Sequence, residues 1–299
     1  MVASINATAL LHWRREQLRA GGNPADLDWL LDLAGGVSWA RQQRLRLEPT
    51  ATVQLACDLA RLEQLWRRHR LEHQPLQYLV GVCPWRDLEL RVQPGVLIPR
   101  QETELLIELA LAQPRPAAAP DSEELPMLWA DLGTGSGCLA LALARAFPGS
   151  RGLAVDRSAE ALAVAAQNLM PAAMPPGTSV GLLQGSWWEP LHPHWGQLHL
   201  VLSNPPYIPT GVWEQLDPVV RLHEPALALD GGQDGLDAIR TIAAGAQRAL
   251  APGGWLLLEH HHDQGPAAAE LLRQGGLVDV NNHPDLEGQQ RFVSARRSP

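Results

Sequence analysis

The sequence predicts an α/β protein with a doubly wound parallel sheet, preceded by a small helical domain. From residue 128 onward, short apolar runs alternate with helical patterns, as in chains that build strand-helix-strand units. Two loops of unusual composition interrupt this alternation, a glycine loop at 133–137 and a proline loop at 204–207. Before residue 75 the apolar residues recur at helical spacing, which predicts a separate helical domain.

Composition narrows the classes of function. The formal net charge of −8 disfavours a protein that holds a nucleic acid by its phosphates. No apolar run approaches the roughly 20 residues of a membrane span. The three cysteines lie far apart without a Cys-x-x-Cys pair, which predicts free thiols in a reducing compartment. We therefore expect a cytoplasmic protein that contacts neither membrane nor nucleic acid directly. We also expect a monomer.

The first hundred residues divide into two predicted segments. Residues 1–74 carry four helical patterns, the last from Pro49 to about Leu71, and almost no strand signal. Residues 75–100 form a predicted connector, in which 88–92 and 96–98 pair as a β-hairpin. The remaining residues, 101–299, are expected to form one large domain, with a Pro/Ala-rich loop at 113–120.

The large domain contains regularly alternating predicted elements. The predicted strands are 128–132, 152–155, 180–183, 198–203, 255–259, 278–280 and 292–293. The predicted helices between them are 138–147, 159–169, 236–250 and 266–274.

The proline loop has the sequence Asn204-Pro205-Pro206-Tyr207 and follows an apolar strand. Two prolines remove two backbone donors and fix two φ angles, so the strand must end there. The Asn204 side-chain oxygen and the local carbonyls are then free to accept hydrogen bonds, which suits holding an –NH2 group while its nitrogen attacks. The alternative is a rigid loop with a buried Asn cap, and the motif alone does not decide between them.

The glycine loop is Gly133-Thr134-Gly135-Ser136-Gly137, between a strand and a helix. Its glycines let the backbone turn sharply and approach a ligand at a helix N-terminus. Asp156 ends the next strand at the same sheet edge, where it suits a ribose diol. One alternative is a dinucleotide-binding site, but its motif requires a glycine at position 138, where this chain has Cys138. The other alternative is a glycine turn that binds no ligand. A loop of this form after the acidic Asp131 resembles the S-adenosylmethionine site of class I methyltransferases.

Further motifs extend the resemblance from about Pro75 to the C-terminus. They are 77–81 (QYLVG), 97–100 (LIPR), 102–104 (ETE), 131–137 (DLGTGSG), 155–156 (VD), 203–207 (SNPPY), 224–225 (EP), 231–232 (GG) and 234–236 (DGL). With these motifs the chain resembles the glutamine-N5 methyltransferases that modify peptide-chain release factors, the PrmC/HemK family. The LIPRxxTE segment is more specific than any methyltransferase-wide motif, because adenine methyltransferases lack it.

The resemblance implies a Rossmann-like methyltransferase domain and an N-terminal domain that recognises the substrate. It implies methyl transfer from S-adenosylmethionine to the N5 atom of the glutamine in a release factor's Gly-Gly-Gln motif, which modulates translation termination. Residues 133–137, Asp156, Trp187 and Asn204 would contact the cofactor, with Trp187 flanking the adenine. Asn204, Pro205, Pro206 and Tyr207 would hold the glutamine amide, and no metal is implied.

Three positions depart from the family pattern. Ser186 stands where the family usually has Asp before the Trp, and 83–85 (Cys-Pro-Trp) replaces a Glu-Phe pairing. Glu259 is followed by three histidines, 260–262, where the family has a Gly soon after the Glu. Adjacent histidines on an extended segment point in alternating directions and no further ligand cluster is near, so we expect a solvated loop there.

Three other functions compete with this interpretation. A ribosomal-protein glutamine methyltransferase would differ mainly in the surface that selects its target. Methylation of adenine N6 in a nucleic acid uses the same proline loop but predicts a basic face, which an acidic chain does not favour. A catalytically silent scaffold that binds S-adenosylmethionine would not need an intact proline loop beside the glycine loop.

Overall fold

The computed structural model of the protein describes residues 3–114 and 126–299. The chain forms two compact units, one of residues up to Val82 together with 217–223, and one of 83–216 together with 224–299. Most of the loop predicted at 113–120 lies outside the described residues.

The N-terminal unit is helical, as predicted, but also contains a small sheet. Its elements are β1 (Ala3–Asn6), α1 (Ala7–Arg19), α2 (Pro24–Leu33), α3 (Trp39–Leu45), β2 (Thr52–Leu55), α4 (Leu59–Glu72) and α5 (Leu76–Val80). Strands β1 and β2 pair antiparallel, so the expectation of almost no strand is wrong. The fourth helix was predicted to begin at Pro49, but it begins at Leu59. Val53 and Leu55 are instead buried at the period of a strand, while their neighbours are exposed.

Side-chain caps set where the helices of this unit begin. The oxygen of a capping side chain accepts a hydrogen bond from a first-turn backbone N–H and satisfies one of the donors that a helix leaves free. The caps of α1 to α4 are Asn6, Asn23, Ser38 and Asp58. Because Asp58 caps α4, the helix starts at Leu59 and leaves 52–55 to the sheet.

A two-stranded sheet precedes the glycine loop. It joins β3 (Val82–Trp85) and β4 (Leu88–Arg91), so the prediction that 88–92 pairs with 96–98 is wrong. The turn between the strands contains Arg86 in the left-handed region at φ 53°. This conformation is uncommon for residues other than glycine, so an arginine does not predict it. Residues 96–98 lie outside the strands, although Val96 and Ile98 are buried.

The main sheet of the second unit has seven strands among the residues that the structure describes. They are β5 (Leu128–Leu132), β6 (Arg151–Asp156), β7 (Ser179–Gln184), β8 (Leu198–Ser203), β9 (Leu250–Glu259), β10 (Val278–Pro284) and β11 (Gln290–Arg296). Their order is β10-β11-β9-β8-β5-β6-β7. Strands β5 to β9 are parallel to one another, as predicted, whereas β11 is antiparallel to both β9 and β10.

Helices cover both faces of this sheet. In chain order, the helices that follow the β3–β4 sheet are α6 (Leu105–Ala112), α7 (Cys138–Ala146), α8 (Ala159–Leu169), α9 (Thr210–Trp213), α10 (Pro218–Arg221), α11 (Asp237–Ala249) and α12 (Gly265–Gln274), of which α10 belongs to the N-terminal unit. The apolar side chains of α6, α7 and α8 pack on one face with Trp129, and those of α11 and α12 pack on the other with Ala130. Every residue of β5 is therefore buried.

Within residues 3–114 and 126–299, none of the helices has the length and apolar character that a membrane span requires.

The sheet leaves the carboxyl ends of β5, β6, β8 and β9 at one edge, because these four strands are parallel. Open α/β sheets bind their ligands at that edge.

Candidate active site

The glycine loop curls between the ends of β5 and β6. The backbone N–H groups of Gly133 and Thr134 both donate to the carbonyl of Val155, each at 2.9 Å. Gly133, Gly135 and Gly137 have φ values of 74°, 55° and 80°, which only glycine adopts without strain. A Cβ on Gly135 would meet nothing within 4 Å, so this side of the loop faces open space.

Two carboxyl groups brace the loop. Asp131, fully buried at the end of β5, accepts from the Thr134 hydroxyl at 2.5 Å, and burial raises the pKa of Asp131 to about 7. Asp156 accepts from the backbone N–H groups of Gly135 and Ser158, both at 2.9 Å, through different oxygens. Burial also raises the pKa of Asp156. A carboxylate has about four lone-pair sites, so Asp156 can still accept from a ligand.

Two neighbouring tryptophans after β7 point to different environments. Trp187, at φ 49°, lies beside the glycine loop, with a ring carbon 3.5 Å from the place that a Cβ on Gly133 would occupy. Trp188 is buried in the core and its Nε1–H donates to the carbonyl of Ile242 at 3.1 Å. Ser186 lines the same cavity as Trp187.

The proline loop is held at the end of β8 by side chains from other segments. The Ser203 hydroxyl donates to the carbonyl of Leu132 at 2.6 Å, which ties β8 to the end of β5. The Asn204 Nδ2 donates to the Thr103 hydroxyl oxygen at 3.0 Å. The Gln264 Nε2 donates to the carbonyl of Tyr207 at 2.9 Å. The turn is thus fixed from both ends.

Glu259, the last residue of β9, joins Asn204 and Tyr207 into one network. Its Oε2 accepts from the Thr103 hydroxyl at 2.6 Å, and its Oε1 accepts from the Tyr207 hydroxyl at 3.0 Å. Glu259 is 1% exposed, and burial raises its pKa to about 7. Burial and the nearby Glu259 raise the pKa of the Tyr207 phenol. Sequence reasoning missed this role of Glu259, since nothing local links it to residues 103 and 204.

The LIPR segment, 97–100, is anchored beside this network. The Arg100 guanidinium donates to the buried Glu224 at 2.6 Å, and the second Glu224 oxygen accepts from the backbone N–H of Ile98 at 3.1 Å. The buried Trp85 donates its Nε1–H to the carbonyl of Arg100 at 2.7 Å. Residues 83–85, at which the chain departs from the family pattern, therefore include a tryptophan that holds the backbone of the LIPR segment in place.

One cavity of about 610 Å³ brings most of the predicted site residues together. Its lining includes the predicted site residues Gly133, Thr134, Gly135, Ser136, Asp156, Trp187, Asn204 and Pro206. Arg100 and Thr103 also line it. Three predicted site residues are not among its lining residues: Gly137 at the start of α7, Pro205, and Tyr207. This volume lies in the range of small-molecule sites.

The histidine run after Glu259 differs from its prediction at its first residue, whereas His261 is partly exposed and His262 is exposed. His260 is fully buried rather than solvated; its Nδ1 lies 2.7 Å from the carbonyl of His261, and burial lowers its pKa. The run was expected to leave the sheet, but the His260 backbone N–H still bonds to the carbonyl of Arg291 in the adjoining strand. His261 pairs with Asp263 at 2.6 Å. Over the described ranges, no group of three His, Cys, Asp or Glu residues is placed to hold a metal ion.

The sheet order and the glycine loop at its carboxyl edge define a Rossmann-like methyltransferase. The family model described as the methyltransferase small domain matches residues 122–216. A solved methyltransferase from Pyrococcus furiosus has the same fold, with a TM-score of 0.51 and 15% identity over 72% of this chain and 91% of that one.

Sequence relatives specify the family. A release factor glutamine methyltransferase of Prochlorococcus marinus is 47% identical over 98% of this chain and 97% of its own length. Another of that name, from Gloeobacter violaceus, is 44% identical over 94% of both chains. The chain belongs to the release factor glutamine methyltransferase family, as its motifs indicated.

Proposed function

We propose that this enzyme transfers a methyl group from S-adenosylmethionine to the side-chain N5 of the glutamine in a release factor's Gly-Gly-Gln motif, and so modulates translation termination. Relatives that match almost the whole chain are named release factor glutamine methyltransferase. The observation that carries the proposal is that Asn204 and Gly135 line one cavity. A nucleophile held by Asn204 would therefore face a donor bound at the glycine loop.

The residues on the glycine-loop side fit the proposed donor. The open face of Gly135 admits a ligand against the backbone, and Asp156 keeps oxygen lone pairs for a ribose diol. The Trp187 ring offers an aromatic surface for an adenine. Residues 133–136 line the cavity and would contact the donor, whereas Gly137 is outside the cavity lining and precedes the first residue of α7. When bound, S-adenosylmethionine supplies a methyl group on a sulfonium that departs as a neutral thioether.

On the opposite side, Asn204 lines the cavity and would hold the glutamine amide; the part assigned to Pro205, which is buried and not among the lining residues, stays a prediction. The Asn204 side-chain oxygen and the Pro205 carbonyl accept its two N–H protons, which aims the nitrogen at the methyl group. Pro206 lines the cavity and keeps the turn rigid. The predicted packing of Tyr207 against the amide stays a prediction; its hydroxyl bonds to Glu259.

Positioning supplies the catalysis in this proposal. The new C–N bond forms as the C–S bond breaks, and one amide proton then leaves for solvent. Holding two reactants in line lowers the barrier by several kcal/mol, on the order of 7–11 at best. A neutral amide is a weak nucleophile because its lone pair is delocalised, so orientation matters more than a strong base.

Methyl transfer to defined substrates tests the proposal. The purified full chain is incubated with tritium-labelled S-adenosylmethionine and a full-length release factor, and the modified residue is located by mass spectrometry. We expect one methyl group on the glutamine of the Gly-Gly-Gln motif. A release factor with alanine in place of that glutamine is the matched control and should take up no label.

The same assay separates the competing functions. Label on a ribosomal protein or on DNA, with none on the release factor, would overturn the proposed substrate. Absence of label on every substrate, despite measurable binding of S-adenosylhomocysteine, would favour a silent scaffold. We further propose that the enzyme acts as a cytoplasmic monomer without nucleic-acid contacts, which gel filtration and a nucleic-acid shift assay test.

A further inference from the structure

Four residues from three distant segments form a hydrogen-bonded network behind the proline loop. Asn204 donates to Thr103 at 3.0 Å, Thr103 donates to Glu259 at 2.6 Å, and Tyr207 donates to the other Glu259 oxygen at 3.0 Å. Thr103 is 2% exposed and Glu259 is 1% exposed. Asn204 and Thr103 line the cavity, and Glu259 lies behind them.

The direction of each hydrogen bond in this network follows from chemistry. An ionised carboxylate can only accept, so the single Thr103 hydroxyl proton must point to Glu259. The 2.6 Å distance is typical of a hydroxyl that donates to a charged oxygen. The Thr103 oxygen can then only accept from Asn204. The Asn204 amide must therefore present its NH2 to Thr103, and its Oδ1 is turned away from Thr103.

We propose that Glu259, acting through Thr103, sets the orientation of the Asn204 amide so that Oδ1 is free to accept from the substrate glutamine. No described residue donates a hydrogen bond to this Oδ1. Thr103 and Glu259 are thus positioning residues. This inference rests on the proposed function, because it concerns how Asn204 holds the substrate amide.

Protonation of Glu259 would weaken this control. A protonated carboxyl can donate to Thr103, whose own proton can then turn toward Asn204 and favour the opposite amide orientation. The groups that face Glu259 are Thr103, Tyr207, Arg291 and Glu102; Arg291 favours the carboxylate, and Glu102 disfavours it. Because burial raises the pKa of Glu259 to about 7, we expect kcat to fall as the pH drops through this region.

Threonine variants test the link between Glu259 and Asn204. Thr103→Val removes the hydroxyl at nearly constant size, and Thr103→Ser restores it. We expect kcat of Thr103→Val on the release factor to fall roughly 10- to 100-fold, the effect of losing a hydrogen bond to a charged group. KM for the release factor and the Kd of S-adenosylhomocysteine should not change. Thr103→Ser should recover most of the turnover.

A threonine at the opposite end of the strands provides the matched control. The Thr178 hydroxyl, just before β7, accepts from the backbone N–H of Gly149 at 2.8 Å. Thr178→Val also loses one hydrogen bond, but it should keep the wild-type kcat and its pH profile.

The pH profile of kcat distinguishes positioning from a loss of structure. The wild type and Thr103→Ser should show the fall below neutral pH, whereas Thr103→Val and Glu259→Gln should not, because neither can transmit a change of charge. An unchanged kcat in Thr103→Val, or the same inflection in Glu259→Gln, would overturn the positioning role. No methyl transfer to the release factor by the wild type would instead overturn the proposed function.

Discussion

The glycine loop and the proline loop meet at one sheet edge, but they are held in place in different ways. Residues 133–137 are shaped by their own backbone, through positive φ angles and hydrogen bonds to the adjoining strand. Asn204 is oriented by side chains that come from positions about 100 residues before it and 55 after it, through Thr103 and Glu259. The first region is local in sequence, and the second is assembled by the fold.

Because of this difference, substitutions in the two regions should affect different properties of the enzyme. A change in the glycine loop should alter the shape of the donor site and the local stability. A change in the Asn204 network should alter turnover while the donor site stays intact.

The largest expected effect is that of Asn204→Ala on turnover. Without the Asn204 oxygen the substrate amide loses one of two proposed acceptors, so we expect kcat on the release factor to fall on the order of 10³-fold. The Kd of S-adenosylhomocysteine, measured by calorimetry, should change little, because the glycine loop and Asp156 remain. Comparable rates in the variant and the wild type would contradict the role of Asn204.

The adjacent tryptophans provide the next test. Trp188→Ala should lower the free energy of unfolding by about 3–5 kcal/mol, because the ring is buried and its N–H bonds to the carbonyl of Ile242. Trp187→Ala should lower stability less, because the ring is only partly buried against the core, but it should weaken S-adenosylhomocysteine binding by about 1–3 kcal/mol if the ring stacks on adenine. Urea unfolding and calorimetry measure both quantities. Equal losses of stability would show that Trp187 is a core residue too.

The sequence was informative where the site is local. Gly133 to Gly137 and the two prolines restrict the backbone by their residue types, so both loops could be located from the sequence. Alternation of apolar runs likewise located the parallel strands. The small β1–β2 sheet was missed because its strands are four residues long and their pairing is between distant segments.

The network at Glu259 could not have been found in the same way. Thr103 and Glu259 are 156 residues apart, and only the position of β9 beside β8 brings the carboxylate behind Asn204. The hydrogen bond from Trp85 to the carbonyl of Arg100 could not be predicted either, because it depends on the β3–β4 turn. His260 is buried because strand β11 lies beside it, and the sequence around His260 does not indicate that neighbour.

The buried carboxyl of Glu259 predicts a pH-dependent stability. Its pKa is raised from 4.5 to about 7, so the folded protein binds more protons than the unfolded chain in this range. Its contribution to stability is therefore full below about pH 4.5 and is lost as the pH rises through 7. Glu259→Gln stays neutral, so its free energy of unfolding should gain about 2–3 kcal/mol relative to wild type between pH 5 and pH 8.

Urea unfolding at the two pH values measures this difference. Glu270→Gln, on the exposed face of α12, is the matched control and should follow the wild type. A constant difference between Glu259→Gln and the wild type would show that Glu259 does not change its charge across this range.

Substitution by alanine should have different effects at two glycines of the same loop. Gly137→Ala places a left-handed alanine 3.1 Å from the Ala165 Cβ, so strain and crowding should lower stability by about 2–4 kcal/mol. Gly135→Ala has the strain but no crowding, which predicts a loss of only about 1–2 kcal/mol. Its methyl group points into the open space that the donor would fill, so Gly135→Ala should weaken S-adenosylhomocysteine binding more than Gly137→Ala does. The reverse order of affinities would mean that the open side of Gly135 is not where the ligand binds, and the loop would then serve only to start α7.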